Sequence, residues 1–233
     1  MSSFRKPLPF VMLVLLILLA IAFARSGNTQ ALKNQRKDES QELVTAVRRG
    51  GLKEAARLKK NYVGTERTSG WAKLDLENLV RNSSTIIVGT PLISAPRLSD
   101  SGEQVLTDHN VRVEQTLRGD MKPNQVITLT VVGGKVTFED GTTAEIRTPD
   151  LSPIETGKTY VLFLRNRQNA APDSFNLKGG GQGLFEITSD STIEPRGDKV
   201  DPVRKYKHAP VTAFVEEIKA NVKKHPDNSR CCK

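Results

Sequence analysis

The sequence predicts a mainly β domain, a barrel or sandwich, with helices on either side and an apolar segment at its N-terminus. Three observations predict it. From Thr85 onward, short β-branched and alternating apolar runs follow one another at close intervals. Glycine-containing turns separate them, at Arg118-Gly119-Asp120, Gly133-Gly134, Asp140-Gly141 and Gly179-Gly180-Gly181-Gln182-Gly183. Before and after this block, apolar residues recur instead at helical spacing.

The first element is residues 1–25. Leu8 to Ala24 is apolar apart from Pro9 and follows directly on Arg5 and Lys6. A charged start before an apolar run is an export signal. The run just reaches the roughly 17 to 25 residues of a spanning helix, so it reads as a retained signal-anchor. Ala22-Phe23-Ala24 also fits a small-residue cleavage site, which would make Arg25 the first mature residue and the protein secreted. A buried core helix would show polar positions on one face. In both export readings the C-terminal domain lies outside the cytoplasm. Arg25, Lys33, Arg36 and Lys37 follow the run, so the flanking charge hardly sets its orientation.

Residues 26–72 read as a polar linker and helical stalk. Ser26 to Ser40 lacks periodicity. Gln41 to Tyr62 looks helical: Leu43, Val44 and Val47 form one stripe, Gly50-Gly51 breaks it, and Leu52, Ala55, Ala56 and Leu58 resume it. Residues 43–58 are similar to the two helices of an ankyrin repeat. A single such unit cannot bury its own face, so an ordinary helical hairpin or stalk is the simpler reading. Thr65 to Gly70 is a turn-rich spacer. Trp71 to Arg81, with Leu74, Leu76, Leu79 and Val80, forms a short helix that opens the barrel domain, residues 73–190.

Strands follow in order. Thr85 to Thr90 is β-branched and buried. Gln104 to Leu117 places Val105, His109, Val111 and Val113 on one face. Gln125 to Val132 comes next. Lys135 to Phe138 and Thr143 to Arg147 flank Asp140-Gly141 as a hairpin. Tyr160 to Leu164 is apolar on both faces and belongs at the centre of the sheet. Leu184 to Ile187 follows the glycine run, which precedes a strand rather than a helix and so marks a tight bend, not a phosphate cradle. Residues 191–233 are a loop, an amphipathic helix through Val211, Phe214, Val215, Ile218 and Val222, and a basic tail. Residues 73–233 are expected to fold without the stalk.

Charge is uneven along the chain. The whole carries +9, yet residues 82–190 hold 10 basic and 13 acidic side chains. A nucleic-acid-binding core would be the basic part, and the few aromatics of this block lie mostly in apolar strand runs, so nucleic acid is not the expected partner. The basic flanks read as a solvated stalk, or as an attraction to anionic headgroups. The only two cysteines, Cys231 and Cys232, are adjacent at the C-terminus. No internal disulfide framework follows from them, and adjacent cysteines bridge each other poorly. An intermolecular bond and a frayed reactive tail both remain open.

No catalytic constellation stands out. His109, His208 and His225 are far apart in sequence and lack zinc-ligand spacing. His109 falls on the apolar face of its strand, as a core-edge residue does. Glu139, Asp140, Glu145 and Asp150 gather near the hairpin, where acid/base chemistry or a calcium ion could use them, but the turn already accounts for Asp140. Arg196-Gly197-Asp198 spells an adhesion tripeptide that three loop residues do not make specific.

The β block resembles the netrin-like, tissue-inhibitor-of-metalloproteinases-like branch of the OB-fold, in the form found in many exported bacterial proteins. The resemblance spans Leu79 to Ile187. It rests on Leu79-Val-Arg-Asn-Ser-Ser-Thr-Ile-Ile-Val-Gly-Thr, Val111-Arg-Val-Glu-Gln-Thr-Leu-Arg-Gly-Asp, Gly157-Lys-Thr-Tyr-Val-Leu-Phe-Leu and Gly180-Gly-Gln-Gly-Leu-Phe-Glu-Ile. It implies a closed five-stranded barrel that binds rather than catalyses. The family's inhibitors place an N-terminal cysteine on a protease zinc, and this domain has no cysteine at its start, so that mechanism does not carry over. The expectation is therefore a tethered or secreted non-enzymatic module that binds a protein or envelope ligand, with the membrane met through residues 8–24. No cofactor is implied, and no residue is assigned as catalytic or metal-binding. The alternative is an exported hydrolase or metal-dependent enzyme built on the acidic hairpin cluster.

Overall fold

A computed structural model describes residues 37–66, 72–168, 170–197 and 202–226. The expected membrane segment, most of the polar linker and the cysteine pair lie outside the described residues. Among the described residues no helix is long and apolar enough to cross a membrane.

Helix α1 (residues 37–59) folds back on itself at Gly51. Gly51 has φ of +68°, and a Cβ there would stand 2.5 Å from the Gly102 carbonyl oxygen. Only glycine meets both demands. Lys59 Nζ lies 3.5 Å from Glu39 Oε2, so the two ends of this hairpin meet. The next strand, β1 (Asn61–Thr65), was hidden by its length, since Tyr62 and Val63 are too few to show a period of two.

Helix α2 (Leu76–Asn82) starts at Asp75, whose carboxylate accepts from the Asn78 amide at 2.8 Å. The strands that follow are β2 (Thr85–Leu98), β3 (Val105–Arg118), β4 (Val126–Val132), β5 (Gly134–Thr137), β6 (Thr143–Arg147), β7 (Thr159–Asn166), β8 (Ser174–Leu177), β9 (Leu184–Ile187) and β10 (Ile193–Pro195). Helix α3 (Val211–Lys224) ends the described chain. Strand β2 runs past Pro91 and Pro96 to Leu98. It can do so because β7 leaves it after Gly89, so beyond that point a missing N–H on that edge breaks no ladder.

The protein is mainly β, with two sheets, one of them partly ring-like. The larger has the order β10-β9-β7-β2-β3-β4-β8, and β7 also pairs with β8. The five strands β7, β2, β3, β4 and β8 therefore pair in a ring. Within it β4 and β8 run parallel, while the other neighbours are antiparallel. Inside lie Ile87, Val111, Ile127, Leu129, Tyr160, Leu162, Leu164 and Phe175. Outside, α2 and α3 cover Ile86, Val161, Phe163 and Phe185 with Leu79, Val80, Phe214 and Ile218. Strand β7 thus buries both of its faces, as its unbroken apolar run requires.

The smaller sheet has the order β1-β6-β5. β1 lies parallel to β6, and β5 and β6 form the hairpin about Asp140-Gly141. Leu52 and Ala56 of α1 are buried against Val105, Ala144 and Ile146. The segment read as a stalk thus gives this sheet one strand and its covering helix. Deleting residues 1–72 is expected to spare the melt of the large sheet but to expose one edge and one face of β6. Hydrogen exchange at Ala144 and Ile146 should then rise well above that of the full chain. Unchanged protection there would show that α1 and β1 add nothing to the hairpin's stability.

Candidate functional site: a groove between the two sheets

A groove of about 790 Å³ opens where the hairpin sheet leans away from the ring. Ser94 of β2, Thr107 and His109 of β3 and Val131 of β4 belong to its ring side. Lys135, Glu145 and Ile146 come from the hairpin sheet, and Leu151 and Ile154 from the loop after β6. That loop is held in place. Leu151 and Ile154 pack on the ring's inner core, the Ser152 amide donates to the Arg196 carbonyl at 3.0 Å, and the Gly157 amide donates to the Pro91 carbonyl at 2.9 Å.

The polar feature of the ring side is a cross-strand pair. Ser94 and His109 sit directly opposite each other, with Oγ 2.7 Å from Nδ1. The ring's other nitrogen has no hydrogen bond to the described residues. Burial pushes the His109 pKa down to about 4, against the pull of the neighbouring Asp108 charge. The imidazole is therefore neutral at ordinary pH, a polar but uncharged group in a largely apolar trough. Its linkage to stability has a definite sign. Between the usual His range near 6.5 and about 4, the unfolded chain binds a proton that the folded chain refuses, so stability falls as pH drops through that window. His109→Gln is expected to flatten the slope of stability between pH 6.5 and 4 in urea melts, and an unchanged slope would assign it to other groups.

A second cavity, of about 290 Å³, adjoins the groove, and Val131, Val132, Thr148 and Leu151 line both. Beside it runs a row of directly opposed residues on the outer face of the ring: Arg165, Asn176, Thr130 and Asp108. Thr130 Oγ1 donates to Asp108 Oδ1 at 2.6 Å, and Arg97 Nε donates to Asp108 Oδ2 at 2.6 Å. Partial burial pushes the Asp108 pKa up, but these bonds outweigh it and hold the group below the usual carboxylate range. Arg167 Nη1 reaches Thr130 Oγ1 at 3.3 Å.

The residues singled out by sequence do not assemble into one centre. His208 sits in the turn before α3, and His225 Nε2 lies 2.8 Å from Glu77 Oε1 at the α3 C-terminus. Asp140 accepts from the Thr142 hydroxyl and amide within its own turn and from Arg57 at 2.9 Å, which together lower its pKa to about 2. Glu139 precedes it in that turn. The Arg147 guanidinium holds Glu145 below its ordinary range, at 2.5 Å. Asp150 lies in the loop after β6. Among the described residues no three His, Cys, Asp or Glu side chains form a group able to hold a metal ion. In the adhesion-like tripeptide, Arg196 is engaged by Glu155 and Glu186, and Asp198 lies outside the described residues.

Sequence reasoning did not find Ser94, the Leu151–Ile154 loop or the Arg165–Asn176 pair. The one available signal was His109 in register with the inward apolar residues of β3. A search among known family models and among curated proteins finds no match to this chain.

Proposed function

We propose that this chain is a membrane-tethered or secreted, non-enzymatic binding module, built on a closed OB-like barrel of the netrin-like kind, whose ligand lies in the groove. The pairing order supports the barrel. Counting ring strands in chain order, the first pairs with the second and fourth, the third lies parallel to the fifth, and the fourth pairs with the fifth. That is the order of an OB barrel. The observation that carries the binding reading is the groove's position. Its ring side draws on Ser94 of the first ring strand, Thr107 and His109 of the second and Val131 of the third, and the second and third strands are those at which OB-folds hold their ligands. Asp140 and Glu145 are committed to local partners that keep them ionised, the opposite of the tuning a general acid near neutral pH needs. The export reading rests on Arg5-Lys6 and the apolar run after them.

The test places a photoreactive amino acid at Ile154 in the groove and, separately, at Lys219 on α3, in the full chain in intact cells. Adducts resolved by mass at the groove position alone are the expected result. Equal labelling at both positions, or none at Ile154, overturns the reading.

A further inference from the structure

We propose that the groove and the adjoining cavity together bind an aliphatic carboxylate, with its acyl chain in the groove and its carboxylate at Arg165, Arg167 and Asn176. The proposal rests on the binding reading above and names its ligand class. Three observations lead to it.

The first is local charge. Lys135, Arg147, Arg165 and Arg167 line the combined space, against the carboxylates of Glu66 and Glu145. This cationic excess sits within a region, residues 82–190, that is acidic as a whole. Glu145 is bound by Arg147, and Glu66 accepts from the Gln104 amide at 3.1 Å. A lining with net positive charge favours an anionic ligand.

The second is a set of uncommitted donors. Arg165 and Asn176 are opposite neighbours across β7 and β8 and line the same cavity. Neither side chain makes a hydrogen bond or ion pair within the described residues, whereas Arg147 is paired with Glu145 and Arg167 reaches Thr130. A guanidinium beside a primary amide offers the planar, forked donors that match a carboxylate.

The third distinguishes an acyl chain from a peptide. An extended peptide needs backbone partners along its path. Along the end of β4 and the start of the loop after β6 these are already used. The Gly133 amide donates to the Val105 carbonyl at 2.8 Å, and the Gly133 carbonyl accepts from Thr107 Oγ1 at 2.6 Å. The Val132 carbonyl accepts from Thr148 Oγ1 at 3.0 Å, and the Leu151 amide donates to the Thr148 carbonyl at 3.0 Å. Beside them lies the apolar surface of Val131, Val132, Ile146, Leu151 and Ile154. A hydrocarbon chain asks nothing more.

Equilibrium dialysis of radiolabelled hexanoate against the full chain in zwitterionic lipid nanodiscs, with empty discs subtracted, tests this. One saturable site is expected. Hexanol should bind at least about tenfold more weakly, and inorganic phosphate should not displace hexanoate. Replacing Arg165→Gln and Arg167→Gln together should weaken hexanoate by about tenfold or more without moving the thermal melt, and Leu151→Asn should weaken hexanol and hexanoate alike. Equal affinity for hexanol and hexanoate overturns the carboxylate assignment. Displacement by phosphate reduces the site to a simple anion site and overturns the acyl-chain assignment. No saturable hexanoate binding, with photo-adducts still formed at Ile154, overturns this proposal and leaves the binding reading standing.

Discussion

Phe163→Ala is expected to cost about 3 to 5 kcal/mol, the usual loss for a buried Phe truncated to Ala. That is a large share of the roughly 5 to 15 kcal/mol that holds a domain together. Phe163 is fully buried on the outer face of β7. It begins a chain of rings, 5.5 Å from Phe185, which is 4.8 Å from Phe214, which is 4.9 Å from Tyr206. These rings tie β7 and β9 to α3 and to the 3-10 turn Pro202–Tyr206, so the cavity would open where the helices dock on the sheet. Two residues on, Arg165 is exposed, and Arg165→Ala should leave the melt nearly unchanged. If the two variants melt within a degree of each other, β7 is not the centre of the core.

Gly183→Ala should be the next most damaging change, at about 3 kcal/mol, or on the order of 6 to 12 °C in melting temperature. The glycine run forms a 3-10 turn, Gly180–Gly183, that leads into β9. A Cβ at Gly183 would overlap the Lys178 carbonyl oxygen and stand 3.2 Å from Phe163 Cβ. Neither neighbour is free to yield. Lys178 is tied by its amide to the Phe163 carbonyl at 2.8 Å, and Phe163 is fully buried against Phe185. A melt within about 2 °C of the parent would show that the turn can shift and that close packing does not require glycine there.

How far the fold was legible depended on how local its cause was. The two faces of β7, the apolar face of α3 and the turn at Asp140-Gly141 could be read directly, because neighbouring residues carry the period or the turn chemistry. The break at Gly50-Gly51 was also legible. A fold-back there, as a helical hairpin, was one of the readings, but that Gly102 presses against the turn was not legible. Strands β8 and β10 passed unread for the same reason as β1. Ser174–Leu177 and Ile193–Pro195 are too short for alternation to stand out.

The sequence by itself determined the longer strands and helices and which of their side chains seek the interior, because periods of two and of about 3.6 are written in contiguous residues. Only the tertiary structure decided the partners. It set β8 beside both β4 and β7, joined β1 to a hairpin about 80 residues away, brought Ser94 to His109, and aligned Arg165, Asn176, Thr130 and Asp108 across four strands. Pairing is chosen by how much apolar surface and how many backbone groups distant segments can satisfy together. That quantity belongs to no segment alone, so the groove and its cations are absent from any local pattern.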